Sequence, residues 1–129
     1  MQAWIGKSII FIGVVHSVFG FVVFRSTIAE LVREGVINTV NGQPLREFAF
    51  WFLFFGFMAI IAGALTDWSE RNFGILPGFL GWSLLAMTVV LVTIMPVSGA
   101  WMLFVPAFGA IFRSHKTAMP LDGGPVTKT

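Results

Sequence analysis

The sequence has 129 residues, of which 57% are hydrophobic and only 11% charged. Soluble domains carry about 45–50% apolar and about 25% charged residues, so this composition and a mean hydropathy of +0.88 point to a chain whose solvent is lipid. The absence of cysteine excludes disulfides, thiolate metal sites and thiol chemistry, and eight Lys/Arg with a net charge of +2 are too few and too scattered for a nucleic-acid surface.

The first apolar block covers residues 4–24, the length needed to cross a hydrocarbon core of about 30 Å. Lys7 ahead of an apolar run also fits a cleaved signal peptide, but a retained span is the expectation. Residues 25–46 break the pattern. Ile28, Leu31, Val32, Val36 and Ile37 recur near helical spacing opposite Glu30, Arg33 and Glu34, and Ser26 or Thr27 can cap the start. This predicts one short amphipathic helix at the interface, then a turn at Asn41-Gly42-Gln43-Pro44; a plain surface loop is the alternative.

The second span is expected over residues 48–65, followed by a polar connector from Thr66 to Asn72 that carries Asp67, Glu70 and Arg71. From Phe73 to Phe112 no formal charge occurs, about twice one span length, so a hairpin must lie inside. Pro96-Val97-Ser98-Gly99 is its turn, giving a third span over 77–95 and a short fourth over 100–112, with a partly re-entrant fourth segment as the alternative. Residues 113–129 are polar and rich in Pro and Gly, and are expected to form a flexible tail. The expected fold is therefore all-α: an integral membrane four-helix bundle, residues 1–112, with an interfacial helix between spans one and two. With both termini inside, Lys7, Arg71, Arg113, Lys116 and Lys128 face the cytoplasm against Arg25, Arg33 and Arg46 outside, so the positive charge favours N-in, C-in in a bacterial inner membrane.

Gly6, Gly13 and Gly20 recur every seven residues in the first span, and Ala49, Gly56 and Gly63 repeat that spacing in the second. Small residues let helix backbones approach closely in lipid, so these two faces are expected to pack together. Two weaker likenesses, Gly6-Lys7-Ser8-Ile9-Ile10 with Gly81-Trp82-Ser83-Leu84-Leu85 and Trp51-Phe52-Leu53-Phe54 with Trp101-Met102-Leu103-Phe104, raise a duplicated two-helix unit against chance similarity.

His16 falls near the middle of the first span beside the small-residue face. An ionisable side chain there is costly to charge and marks a functional position by default. A neutral ring bonded to a carbonyl, or to Ser17, Ser83, Thr88 or Thr93, competes with proton handling, ligand binding and haem ligation. Arg46 and Glu47 open the second span, as a surface ion pair or as the mouth of a pocket, and seven aromatics follow within ten residues: Phe48, Phe50, Trp51, Phe52, Phe54, Phe55 and Phe57. An aromatic-walled pocket with Glu47 and Arg46 at its mouth, Phe50, Trp51, Phe54 and Phe55 in its walls and His16 at its base suits a flat or extended apolar ligand such as a quinone, sterol or polyprenoid.

Other chemistries are set aside. Quinone-linked disulfide enzymes need cysteines; small multidrug transporters need a carboxylate inside the first span, where this chain has His16; fluoride channels carry an Asn-centred pore motif not found here. A zinc site needs clustered ligands that two histidines do not supply. Met58, Met87, Met95 and Met102 can bind Cu(I) in principle but are also ordinary apolar filler, so no metal is expected.

The opening Trp4-Ile5-Gly6-Lys7-Ser8, with Gly13 and His16, resembles the start of a family of small, four-span bacterial membrane proteins with no assigned function. The resemblance covers residues 4–112 and implies the fold, with no catalytic residues to carry over. Three functions remain: binding or transport of a small lipophilic molecule; a structural or accessory subunit working through helix packing; and an enzyme on a lipophilic substrate with Glu47 and His16 as acid and base. The expected partners are the lipid bilayer, the lipophilic molecule, and either a second copy of the chain in a homo-oligomer or another membrane protein.

Overall fold

The computed structural model describes residues 2–117. It is all-helical among them: α1 Ile5–Val23, α2 Arg25–Glu34, α3 Pro44–Phe73, α4 Gly78–Ile94, a 3-10 turn at Gly99–Leu103, and α5 Phe104–Thr117. Two helices, α1 and α3, are long and apolar enough to cross a membrane.

The punctuation follows from single residues. α2 ends at Gly35, in the left-handed region at φ 99°, and α3 starts at Pro44, where a missing N–H costs nothing, and ends at Gly74 with φ 68°. Between Leu65 and Gly74 no residue breaks a helix. The stretch expected to be a polar connector is thus the last two turns of α3, held by the Arg71–Asp67 ion pair one turn apart at 2.8 Å and by Asn72 Nδ2 donating to the Trp68 carbonyl. In the same way α5 continues through Thr117, past the expected boundary at 112; the remaining tail, 118–129, lies outside the described residues.

α1 and α3 run antiparallel and in contact along their whole shared length, as the glycine period predicts. A Cβ placed on Gly6 would lie 2.1 Å from the Asp67 backbone nitrogen, one on Gly63 2.7 Å from Ile10 nitrogen and 2.9 Å from Gly6 oxygen, and one on Gly13 3.0 Å from Gly56 oxygen. Down the seam the small residue changes sides at each step: Gly6 faces Asp67, Gly63 faces Ile10, Gly13 faces Ile60, Gly56 faces Ser17, and Gly20 faces Leu53. The same register sets Phe24 at the level of Ala49, and both are buried. Each bulky side chain therefore meets a gap, and the backbones close to near contact.

α4 and α5 form a second antiparallel hairpin, with Gly81 seated on the Ile111 backbone, where a Cβ would lie 2.6 Å from its nitrogen. The hairpins meet through α1 and α5, around Ile5, Ile9, Leu76 and Ala110. The helices thus lie in the order α3, α1, α5, α4, and the backbones of α3 and α4 make no approach among the described residues. The row is open rather than closed into a ring. A duplicated unit is not supported by the seams: Gly6 meets its partner helix much further past Trp51 than Gly81 does past Trp101.

The seam gives a direct test. Gly63→Leu drives a side chain into Ile10 and the Gly6 carbonyl and is expected to lower stability in detergent micelles by about 1–3 kcal/mol, whereas Gly99→Ala, with nothing within 4 Å of the new Cβ, should melt with the wild type. Equal melting temperatures for all three proteins would remove the seam from the account.

Candidate ligand site

His16 lies on α1 against α3. Its Nε2 is 3.0 Å from the Phe52 carbonyl oxygen, its ring stacks on Phe52 with centroids 4.0 Å apart, and Phe55 meets it edge-on at 5.5 Å. A carbonyl oxygen only accepts, so Nε2 carries the proton and donates it. Of the polar groups considered as partners, Ser17, Thr88 and Thr93 each donate back to the carbonyl one turn earlier on their own helix. The ring is thus fixed by backbone and aromatic contact, and the nitrogen a haem iron would need to share is engaged. No cluster of three or more His, Cys, Asp or Glu able to hold a metal occurs among the described residues.

Arg46 and Glu47 do not pair with each other. Arg46 reaches back to the end of α2, where Nη1 and Nη2 donate to the two carboxylate oxygens of Glu34 at 2.6 and 2.8 Å, with Glu30 at 3.8 Å, and Nη1 also donates to the Thr39 carbonyl at 3.0 Å. This bidentate hydrogen bond holds the Glu34 carboxyl below its ordinary 4.5. Arg46 therefore straps α2 and its loop to the start of α3. Glu47, in the first turn of α3, accepts from the Gly42 N–H at 2.8 Å.

Strapped this way, α2 leaves two adjoining recesses against α3. One, of about 200 Å³, is walled only by apolar surface, with Ile28, Leu31 and Val36 facing Phe50, Leu53 and Phe57. The other, of about 300 Å³, is lined by Asn38, Val40, Asn41, Glu47, Phe50 and Trp51. Phe50 borders both. The expected pocket residues are thereby sorted: Glu47, Phe50 and Trp51 line one recess, Phe50 and Phe54 the other, Arg46 is the strap, and His16 with Phe55 lies outside both. The aromatic run led to the expectation of a pocket reaching His16; the recesses lie instead between α2 and α3, and His16 borders neither.

At the opposite end of the row lies a cluster the sequence did not reveal. Glu70 and Arg113 form a buried ion pair between α3 and α5, with Glu70 fully enclosed. The second Glu70 oxygen accepts the Gly6 N–H at 2.8 Å, and Arg113 Nη2 donates to the Gln2 carbonyl at 2.9 Å. α1 has no side-chain cap of its own, so a carboxylate from another helix meets its unsatisfied N–H groups and its dipole. Beside it, Asp67 Oδ1 is buried with no hydrogen-bond partner. Glu70, beside Asp67 and Arg71, and Arg113, ahead of Lys116, sat in segments that composition marked as connector and tail, so nothing local singled them out as a pair.

The class defined by these features is an all-helical protein with two helices able to cross a membrane and an apolar cleft under a strapped amphipathic helix. Residues 1–117 match a family of unknown function, DUF6463, and the chain belongs to that family, in keeping with the resemblance of its opening residues. No curated protein and no solved structure matches it.

The end cluster behaves as a unit. Arg113→Met leaves the Glu70 charge buried and unpaired and should cost about 3–5 kcal/mol, while the double change Glu70→Gln with Arg113→Met keeps an acceptor for the Gly6 N–H and should recover most of it. Asn72→Ala, which removes only an exposed hydrogen bond to the Trp68 carbonyl, should cost less than about 1 kcal/mol in the same detergent melts. A double mutant no more stable than Arg113→Met would contradict this picture.

Proposed function

We propose that the chain is an integral membrane protein of four spans, α1, α3, α4 and α5, that binds a small lipophilic molecule in the cleft between α2 and α3. The observation that carries this reading is the cleft itself: an apolar groove of about 200 Å³ held open by an ion-pair strap, with a polar recess at its end. Such a pairing of apolar wall and few polar groups is the usual form of a lipophilic ligand site. Around two turns of α3 border the groove, from Phe50 to Phe57, which suits an extended polyprenoid or alkyl tail better than a wide fused ring system.

Four spans are supported by the outer faces of the two shorter helices. Phe79, Trp82 and Ile94 of α4 and Phe108 and Phe112 of α5 are all exposed, as are Phe11, Phe19 and Val22 of α1. Soluble monomers rarely expose continuous apolar surface beyond a few hundred Å². α4, of 17 residues, reaches the lower limit of spanning length, about 17–25 residues. Gln2 touches Arg113, so both hairpins begin and end at one level, and the loops holding Asn38 and Val97 lie at the other. The positive-charge bias supports a topology with the Gln2 end in the cytoplasm.

The accessory-subunit reading draws on His16, whose contacts serve packing, and on the open row, which leaves α3 and α4 free to meet a second copy or another membrane protein. The enzyme reading loses ground, because His16 and Glu47 do not share a recess.

A neutral long-chain alcohol carrying a diazirine, cross-linked to the protein in nanodiscs, tests the reading. Labels should concentrate on Leu31, Leu53 and Phe57, and Leu31→Trp, which fills the groove from α2 and leaves the α1–α3 seam untouched, should abolish them, while His16→Gln should leave them unchanged. Labels spread evenly over exposed faces such as Phe79 and Ile94 would contradict it. Cysteines at Gln2 and Asn72 should react from one side of the membrane and those at Asn38 and Val97 from the other; any other pattern removes the four-span topology.

A further inference from the structure

Resting on that reading of the cleft, we infer that the recess at the start of α3 is a headgroup subsite for an ammonium ion, so that the ligand is an amphiphilic amine with its tail in the apolar groove.

The argument is one of charge and shape. The recess offers one carboxylate, two amide side chains and two aromatic faces, from Glu47, Asn38, Asn41, Phe50 and Trp51, and no cation lines it. The nearest arginine, Arg46, has its guanidinium turned to Glu34 and the Thr39 carbonyl, so it does not balance Glu47. Arg25 and Arg33 of α2 border neither recess. A glutamate in a first helical turn is ordinarily explained by the helix dipole, and one oxygen of Glu47 fits that role by accepting from the Gly42 N–H. The other oxygen has no partner among the described residues. An N–H donor of positive charge answers it, whereas phosphate and carboxylate headgroups are repelled.

The aromatic walls agree. Phe50 and Trp51 meet nearly at right angles, 80° between rings and 5.6 Å between centroids, forming a corner of the kind that attracts cations to ring faces. Because Phe50 also borders the apolar groove, an ammonium in the corner continues directly into a tail along Leu53 and Phe57. The loop above supplies a further sign. Val36 and Asn38 both hold left-handed backbone, φ 58° and 60°, which is costly for a β-branched residue. Asn38 takes that conformation readily, so the strain falls on Val36, which lines the groove.

The test is competition for the neutral diazirine alcohol in phosphatidylcholine nanodiscs by dodecylamine, dodecanol and dodecanoate. Dodecylamine should compete about tenfold better than dodecanol, with dodecanoate the weakest. Glu47→Gln should erase the advantage of the amine, which also shows that partitioning into the bilayer is not its cause, and an unchanged detergent melt shows that the variant is folded. Retention of the amine preference in Glu47→Gln, or equal competition by all three in the wild type, overturns the headgroup assignment while cleft labelling still upholds the binding reading. Absence of cleft labelling by the alcohol overturns both.

Discussion

The approach of α1 to α3 is the constraint on which the rest of this structure depends. Between apolar helices in an apolar medium there is no hydrophobic gain from contact, and close packing of atoms must supply the attraction. The two helices supply it by alternating small and large across the seam, from Gly6 opposite Asp67 to Gly20 opposite Leu53. Their separation fixes where α3 starts relative to the end of α1, and so where the intervening segment must fold back. α2 begins only one residue after α1 ends, with Phe24 between them, so its path follows from the seam.

The other elements elaborate that pair. At one end Glu70 caps α1 and binds Arg113, which brings α5, and with it the second hairpin, alongside α1. At the other end Arg46 grips Glu34 and the Thr39 carbonyl, tying α2 and its loop to the start of α3. One charge pair closes an end of the row and the other props the opposite end open. Both recesses described above lie at the propped end.

What the sequence made legible was periodic. The seven-residue spacing of small residues foretold the seam, the 3.6-residue spacing of Ile28, Leu31 and Val32 foretold α2, and the glycines and prolines marked the turns. What it concealed was where a helix leaves an apolar environment without ending. Thr66 to Asn72 reads as loop by composition, yet nothing in it stops a helix, and the same error hid Arg113. Glu70 and Arg113 are far apart in sequence, as are His16 and the Phe52 carbonyl that accepts its N–H, and no local pattern joins them. A helix with aromatics on every face, as α3 has from Phe48 to Phe57, does not tell from sequence which face borders a recess.

The α1–α3 seam and the Arg46 strap on α2 set two distances that pulsed electron paramagnetic resonance measures at once. Spin labels at Phe11 and Ile61, exposed on α1 and α3, should give one narrow distance that long-chain amphiphiles leave unchanged. Labels at Arg33 and Met58, on α2 and α3, should give a distance that narrows and shifts when such an amphiphile is added to the nanodisc. A seam distance that is broad or moves with the ligand, or an α2–α3 distance indifferent to it, would contradict the account.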